Sequence, residues 1–277
     1  MSPETALEWD TALVEYKNVA ELKMSQFTGL VAAVEHVFPQ YAGQLKWSKK
    51  VLAGWIIDHD TLHTVPMSMN ATCFGACHFS TEGMPRLGVG MVLQRARGLR
   101  PREMLELLPE HFSLPPGERD LKVDTYIVVN LGVKQGTKLK RPQSTVLRFK
   151  QFPILFRLIL ALLLCTPPGQ KVFPYSYAQY LTALKRFQTK LKIKANWTPH
   201  SPRAGFASES VAQGIPSLEV KEQGRWISES SFRTYLDLVS VASVTLDLEL
   251  AGLTPAIAYT VEHFEEWFST TWLKSPY

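Results

Sequence analysis

The sequence predicts a mainly α-helical fold carrying a small antiparallel β-sheet. Three observations lead there. Apolar residues recur at helical spacing, as in Leu30, Val31, Val34, Val37 and Phe38, and again in Val51, Leu52, Trp55 and Ile56. The pattern changes over residues 122–130 and 143–149, where β-branched or alternating stretches flank a connection rich in Gly and Lys. From Pro153 onward the helical spacing resumes.

Bulk properties bound the possibilities. With 277 residues the chain can hold one large domain or two modest ones. Hydrophobic residues make up 45% and charged residues 20%, so a packed core is expected rather than a disordered chain. The net charge of +5 permits a polyanionic partner. Three cysteines (Cys73, Cys77 and Cys165) cannot all pair within the chain. With no signal-peptide pattern, they point to a reducing, intracellular setting. The most apolar run, residues 153–165, is interrupted by Arg157 and is shorter than the roughly 20 residues a membrane span needs. It reads as a buried core helix, and no membrane partner is expected.

Taken in order, residues 1–65 form a helical N-terminal region, and the turn at Thr64, Val65 and Pro66 is a candidate boundary. A second helical region covers about 68–107, with Leu99, Met104, Leu105 and Leu108 facing inward. Two strands follow, then candidate helices at 153–165, 175–192, 201–213, 216–223 and 228–240. The last stretch, 246–277, holds an amphipathic candidate helix around Phe264 to Leu273. This gives an N-terminal region 1–65, a central domain 66–245 and a C-terminal tail 246–277.

The most informative stretch runs from His200 to Tyr235. It contains H-S-P-R-A-G-F-A-S and then G-R-W-I-S-E-S-S-F-R-T-Y. His200 and Arg203 lie one helical turn apart, and Tyr235 follows Trp226 by nine residues. Cleaving a phosphodiester covalently needs a nucleophile, cations for the charge developing on the phosphoryl oxygens, and an acid for the leaving oxygen. Arginine suits the second role because its planar fork holds two phosphate oxygens and stays charged. Arg203 is one such cation, and Arg100 in G-L-R-P-R-E is the natural second.

On these residues the chain resembles the tyrosine recombinases, the integrase family that includes the Cre type. G-L-R-P-R-E-M-L-E-L looks like the first box of that family, carrying over Arg100 and Glu103. H-S-P-R-A-G-F-A-S looks like the second, carrying over His200 and Arg203. G-R-W looks like the third, with Trp226 where many members have histidine, and Tyr235 falls at the spacing of the nucleophile. The hairpin lysine of the family has three candidates in G-V-K-Q-G-T-K-L-K-R-P-Q. Lys138 is the first choice and Lys134 the second, with Lys140 also present.

The resemblance implies a recombinase catalytic core preceded by a helical region shorter than the clamp domain usual in the family. It also implies a site-specific DNA recombinase acting on double-stranded DNA through a 3′-phosphotyrosyl link, as a homo-tetramer, without metal, cofactor or ATP. Tyr235 would attack, Arg100 and Arg203 would stabilise the transition state, Lys138 would protonate the leaving 5′-oxygen, and His200 would assist proton transfer. Trp226 would donate its indole N–H or pack on the phosphate site, and Glu103 would orient a neighbour. A free tyrosine ionises near pH 10, so the nucleophile needs a nearby base or cation. Lys134, Lys140, Arg141, Lys185, Arg186 and Lys190 are candidate DNA-backbone contacts. The setting would be the nucleus in a eukaryote, or the cytoplasm and nucleoid in a bacterium or phage.

Other readings are weaker. Each site residue alone has an ordinary explanation as a core or surface side chain, and their joint order is what carries the resemblance. Cys73, Cys77 and His78, with His59 and His63, lack zinc-finger spacing, and a helix burying two small cysteines fits better. Gly136-Thr137-Lys138 lacks the full glycine-rich phosphate loop. Two alternatives to a recombinase stay open: a non-catalytic DNA-binding relic, and a type IB topoisomerase-like enzyme.

Overall fold

Helices dominate because the apolar residues keep helical spacing, and the sheet is confined to the one region where that spacing lapses. The computed structural model describes residues 3–58, 64–114, 124–131 and 143–268. The chain divides into two compact units, Met1–Leu62 and His63–Tyr277.

The first unit contains α1 (Ala6–Val19), α2 (Met24–Val37) and α3 (Lys46–Asp58) around a core of Leu13, Phe27, Val31, Val34 and Leu45. Thr5 and Glu8 form a reciprocal capping box at the start of α1. Asp10, buried on α1, accepts hydrogen bonds from the backbone N–H groups of Trp47 and Ser48, both at 2.7 Å. One side chain therefore both caps α3 and ties it to α1.

The second unit begins with the antiparallel pair α4 (Met69–Thr81) and α5 (Pro85–Arg97), followed by the short α6 (Pro101–Leu105). Cys73 and Cys77 are buried on α4. Burial pushes the Cys73 thiol up to about 12 and that of Cys77 up as well, so both behave as small apolar residues. Among the described residues no group of three or more His, Cys, Asp or Glu side chains is placed to hold a metal ion. Near α6, Leu99, Met104 and Leu105 are buried as expected, but Leu107 takes the buried place foreseen for Leu108, because the helix ends at Leu105.

The sheet has three strands in the order β1 (Phe112–Ser113), β2 (Tyr126–Leu131) and β3 (Gln143–Arg148), all antiparallel. β1 was not foreseen, since two residues are too few to show a period. Ile127 and Val129 of β2, with Thr145 and Leu147 of β3, turn toward the core. α7 (Pro153–Cys165) is the expected core helix and buries Leu155, Phe156, Leu158, Ile159 and Leu162. Arg157 interrupts its apolar run on the outer side, where it forms a two-pronged ion pair with Glu265 at 2.6 and 2.8 Å.

The remaining helices are α8 (Tyr177–Lys190), α9 (Ser201–Ala212), α10 (Ser217–Gln223), α11 (Glu229–Arg233), α12 (Leu238–Leu250) and α13 (Thr254–Glu262). The continuous helix expected over 228–240 is broken. α11 stops at Arg233, and Asp237 starts α12 by accepting from the Ser240 N–H at 2.8 Å. α12 runs across residue 246, the expected start of the tail. The amphipathic helix expected near 264–273 is a short 3-10 turn over Phe264–Trp267, with residues 269–277 outside the described set. No single helix among the described residues is long and apolar enough to cross a membrane.

Asp10→Ala removes the cap of α3 and leaves two backbone donors without their acceptor. We expect a loss of about 1–2 kcal/mol from the first unit, read by urea denaturation followed through the tryptophans of that unit. An unchanged midpoint would show that water replaces the cap at no cost.

Candidate active site

α5 ends on Gly98, whose φ of +57° would strain any side-chain-bearing residue. Its carbonyl is turned into the interior, and the chain leads directly to Arg100 and α6. Arg100 and Glu103 close on each other: the Arg100 N–H donates to Glu103 Oε2 at 2.7 Å and its Nη1 to Oε1 at 2.6 Å. The Arg100 side chain keeps 28% of its surface exposed, whereas Glu103 keeps 1%. Arg100 is therefore the outward-facing cation of the pair.

Two further guanidinium groups lie behind it. Arg203, on the first turn of α9 and 1% exposed, donates through Nη1 to the Gly98 carbonyl and through Nη2 to that of Gly224 at 2.6 Å. Its Cζ lies 4.0 Å from the centre of the Trp226 ring, a desolvated cation–π contact worth about 2 kcal/mol. α9 packs against the segment before α4 because residue 205 is glycine: a Cβ there would sit 1.9 Å from the Met67 carbonyl oxygen. Arg225 has a positive φ of 60°, which directs its side chain back under the site. Its Nη2 donates to Glu103 Oε2 at 2.9 Å and to the Gly98 carbonyl at 3.3 Å. The motif reading had passed over Arg225 as a companion of Trp226. The signal was the G-R-W triplet itself, but its turn geometry is invisible in the sequence.

The charges shift one another. Burial alone would push the Glu103 carboxyl up, but Arg225, Arg100, the Arg100 N–H and Arg203 outweigh it and hold it below the usual carboxylate range. Burial, reinforced by repulsion from Arg100 and Arg225, pushes Arg203 down to about 9, which leaves it cationic at neutral pH. Three guanidinium groups share one carboxylate here.

His200 and Tyr235 complete the group. The Tyr235 hydroxyl lies 3.2 Å from His200 Nδ1. Burial, followed by the charges of Arg203 and Arg100, lowers the His200 imidazole below its ordinary value, so at neutral pH it is uncharged and one ring nitrogen can accept a proton. His200 is held from behind. Gln94 donates to the Pro199 carbonyl at 2.8 Å and accepts from the Tyr180 hydroxyl at 3.0 Å. Gln188 makes paired bonds with the backbone of Trp197, at 2.6 and 2.9 Å, and the Trp197 indole donates to the Pro66 carbonyl at 3.1 Å. Tyr235 lies in the break between α11 and α12, where the buried hydroxyl of Ser208 donates to its carbonyl at 2.9 Å and accepts from the Asp237 N–H at 3.1 Å. Trp226 packs on Tyr235, Phe206 and Phe232, with ring centroids 5.5, 6.4 and 5.1 Å away. Its indole N–H is buried and has no hydrogen-bond partner among the described residues.

The fold thus brings together Arg100, Glu103, His200, Arg203, Trp226 and Tyr235, and adds Arg225. Lys134, Lys138, Lys140 and Arg141 lie outside the described residues. Lys185, Arg186 and Lys190 are exposed on α8. Two of them share Glu82, which sits 2.8 Å from Lys190 and 3.8 Å from Arg186, so that face is less positive than its sequence implies.

No protein-family model matches the chain, and no curated protein sequence matches it. Among solved structures it is similar to the XerH site-specific recombinase bound to difH substrate in a pre-cleavage complex. The identity is 14%, the match covers 84% of this chain and 69% of that one, and the TM-score is 0.48. A likeness this distant assigns no activity to the chain.

Glu103→Gln keeps the shape of the side chain and removes the only carboxylate bonded to the cluster among the described residues. Breaking a buried ion pair from one side costs about 3–5 kcal/mol, and we expect a loss of that size in chemical denaturation of the variant. A loss under about 1 kcal/mol, the range of exposed pairs, would mean that water screens the cluster.

The depressed His200 value fixes the sign of a pH effect. An unfolded imidazole takes up its proton near pH 6.5, whereas the native one resists. The contribution is complete above that point and is lost as pH falls through the native value. Stability should therefore fall between about pH 7 and pH 5, and His200→Gln should fall less over that window. Parallel curves for the two proteins in a urea series would remove His200 as the source.

Proposed function

We propose that the chain is a tyrosine-type DNA strand transferase, a site-specific recombinase that cleaves and rejoins double-stranded DNA through a 3′-phosphotyrosyl intermediate. The observation that carries this reading is the 3.2 Å contact between the Tyr235 hydroxyl and a neutral His200, beside three arginines and one carboxylate. A nucleophile, a proton acceptor and a surplus of positive charge meet at one point.

Each step follows from these groups. Tyr235 Oη attacks the scissile phosphorus as its phenolic proton passes toward His200. The bond from phosphorus to the 5′-oxygen breaks, and that oxygen takes a proton from the hairpin lysine, Lys138 by first choice and Lys134 by second, which lie outside the described residues. Arg100, the most exposed guanidinium, contacts the non-bridging oxygens. Arg203 and Arg225 add their charge from beneath, where low solvent access strengthens it. Two net positive charges remain after Glu103 is counted, which matches the two negative charges of a pentacoordinate phosphorane. Rejoining reverses the sequence, with a 5′-hydroxyl displacing Tyr235. The phosphotyrosyl bond conserves the energy of the broken linkage, so neither ATP nor a metal is needed.

Assembly as a homo-tetramer on DNA belongs to the same reading. The exposed apolar residues Val239 and Leu250 on α12 are suited to contact a second copy.

Covalent trapping tests the function. The protein is incubated with nicked suicide duplexes of mixed sequence in EDTA and resolved on a denaturing gel beside Tyr235→Phe. We expect a slow-migrating adduct that the variant does not form. Duplex binding without an adduct would instead identify a DNA-binding relic of such an enzyme.

A further inference from the structure

Arg97, the last residue of α5, is a cation that the proposed reaction leaves unused. Its Nε donates to the buried Thr145 hydroxyl on β3 at 3.1 Å, which pins one edge of the guanidinium to the sheet. Its two Nη groups make no hydrogen bond within the described residues, and no described carboxylate pairs with it. Its charged neighbours are cations: Arg225 on the turn before Trp226, and Arg148 at the end of β3. Burial first, and then those two charges, push Arg97 down to about 10.

The other buried arginines use their Nη groups, although Nε of Arg86 is buried without a hydrogen-bond partner among the described residues. Arg95 pairs with Glu209 and donates to the Met67 carbonyl. Arg86 donates to the Thr166 hydroxyl and the Val172 carbonyl. Arg203 and Arg225 have the carbonyls and the carboxylate described above. Arg97 alone combines partial burial, cationic neighbours and an unused fork. Such a cation is costly until an anion meets it. A second observation lies next to it: Arg225 Nε is buried and has no hydrogen-bond partner among the described residues.

We infer that Arg97 is a phosphate-binding residue whose free Nη edge takes a DNA backbone phosphate next to the one held by Arg100. The inference rests on the strand-transfer reading for the identity of the anion. Thr145 sets the orientation of the fork, and the like charge of Arg225 keeps it from collapsing onto the catalytic arginines.

Salt dependence of binding reads this directly. In a Tyr235→Phe background, which prevents covalent trapping, affinity for a fluorescent mixed-sequence duplex is measured across a salt series. Arg97→Gln should lower the slope of log affinity against log salt by about 0.9, the value of one phosphate contact on duplex DNA. Arg97→Lys should keep the wild-type slope. An unchanged slope in Arg97→Gln overturns the inference. If that variant fails to fold, the unaltered protein is labelled with phenylglyoxal with and without the duplex. Protection of Arg97 by the duplex supports the inference, and equal labelling overturns it. A covalent adduct of the Tyr235-containing protein in the trapping experiment, with no slope change in the Tyr235→Phe background, rejects Arg97 and leaves the strand-transfer reading intact. A slope change with no adduct keeps Arg97 as a phosphate contact and rejects strand transfer, and no duplex binding rejects both.

Discussion

Arg203 bridges three separate pieces of chain, and the site depends on that bridge. Its two Nη groups hold the carbonyl at the end of α5 and the carbonyl before the Arg225 turn, while its backbone belongs to α9. A cation 1% exposed should be expensive to bury. Carbonyl dipoles, the face of Trp226 and the nearby Glu103 carboxylate together offset that cost. Removing any one of them would leave the other two facing an uncompensated charge. The arrangement therefore specifies how α5, α9 and the 224–226 turn meet, beyond whatever it contributes in free energy.

The same geometry aligns the two groups of opposite proton character. His200 immediately precedes α9, so the tie that seats Arg203 also seats His200. Gln94 and Gln188 then remove the remaining freedom by satisfying the backbone of residues 197 and 199. Both amides are buried, and a buried amide is tolerated only when it is bonded. On the other side Ser208 fixes the backbone of Tyr235. Tyr235 and His200 are thus each held from α9, one by a hydroxyl and one by sequence. In the proposed reaction such preorganisation would keep the pair in register without reorganisation.

Much of this was legible in the sequence, for a physical reason. Helical and strand periods follow from local geometry, so the class of the fold and the limits of α7, α8, α9 and α10 could be read to within about two residues. The spacing of His200, Arg203, Trp226 and Tyr235 spans little more than three turns and helices, and each residue type has few chemical uses. What stayed hidden depends on backbone torsion or on distant partners. The positive φ of Arg225 makes it a member of the cluster, and nothing in G-R-W announces it. The break at residues 234–237 was masked by a helical apolar pattern continuing through it, while the cap supplied by Asp237 competes locally for Ser240. The sequence assigns Arg97 no role, since its partner Thr145 is 48 residues away.

Trp226 shows why the identity of an aromatic residue matters at such a place. Among the described residues its indole N–H is buried without a hydrogen-bond partner, and its ring face meets the Arg203 guanidinium. A histidine here would stand among three guanidinium groups, whose repulsion would disfavour its protonated form. An indole cannot titrate, and its negative face attracts Arg203 while its remaining surface packs on Phe206 and Phe232. The residue therefore shields the cation on one side without changing the charge of the site. That leaves Glu103 as the sole anion bonded to the arginines, and a net positive charge that only an incoming anion can complete.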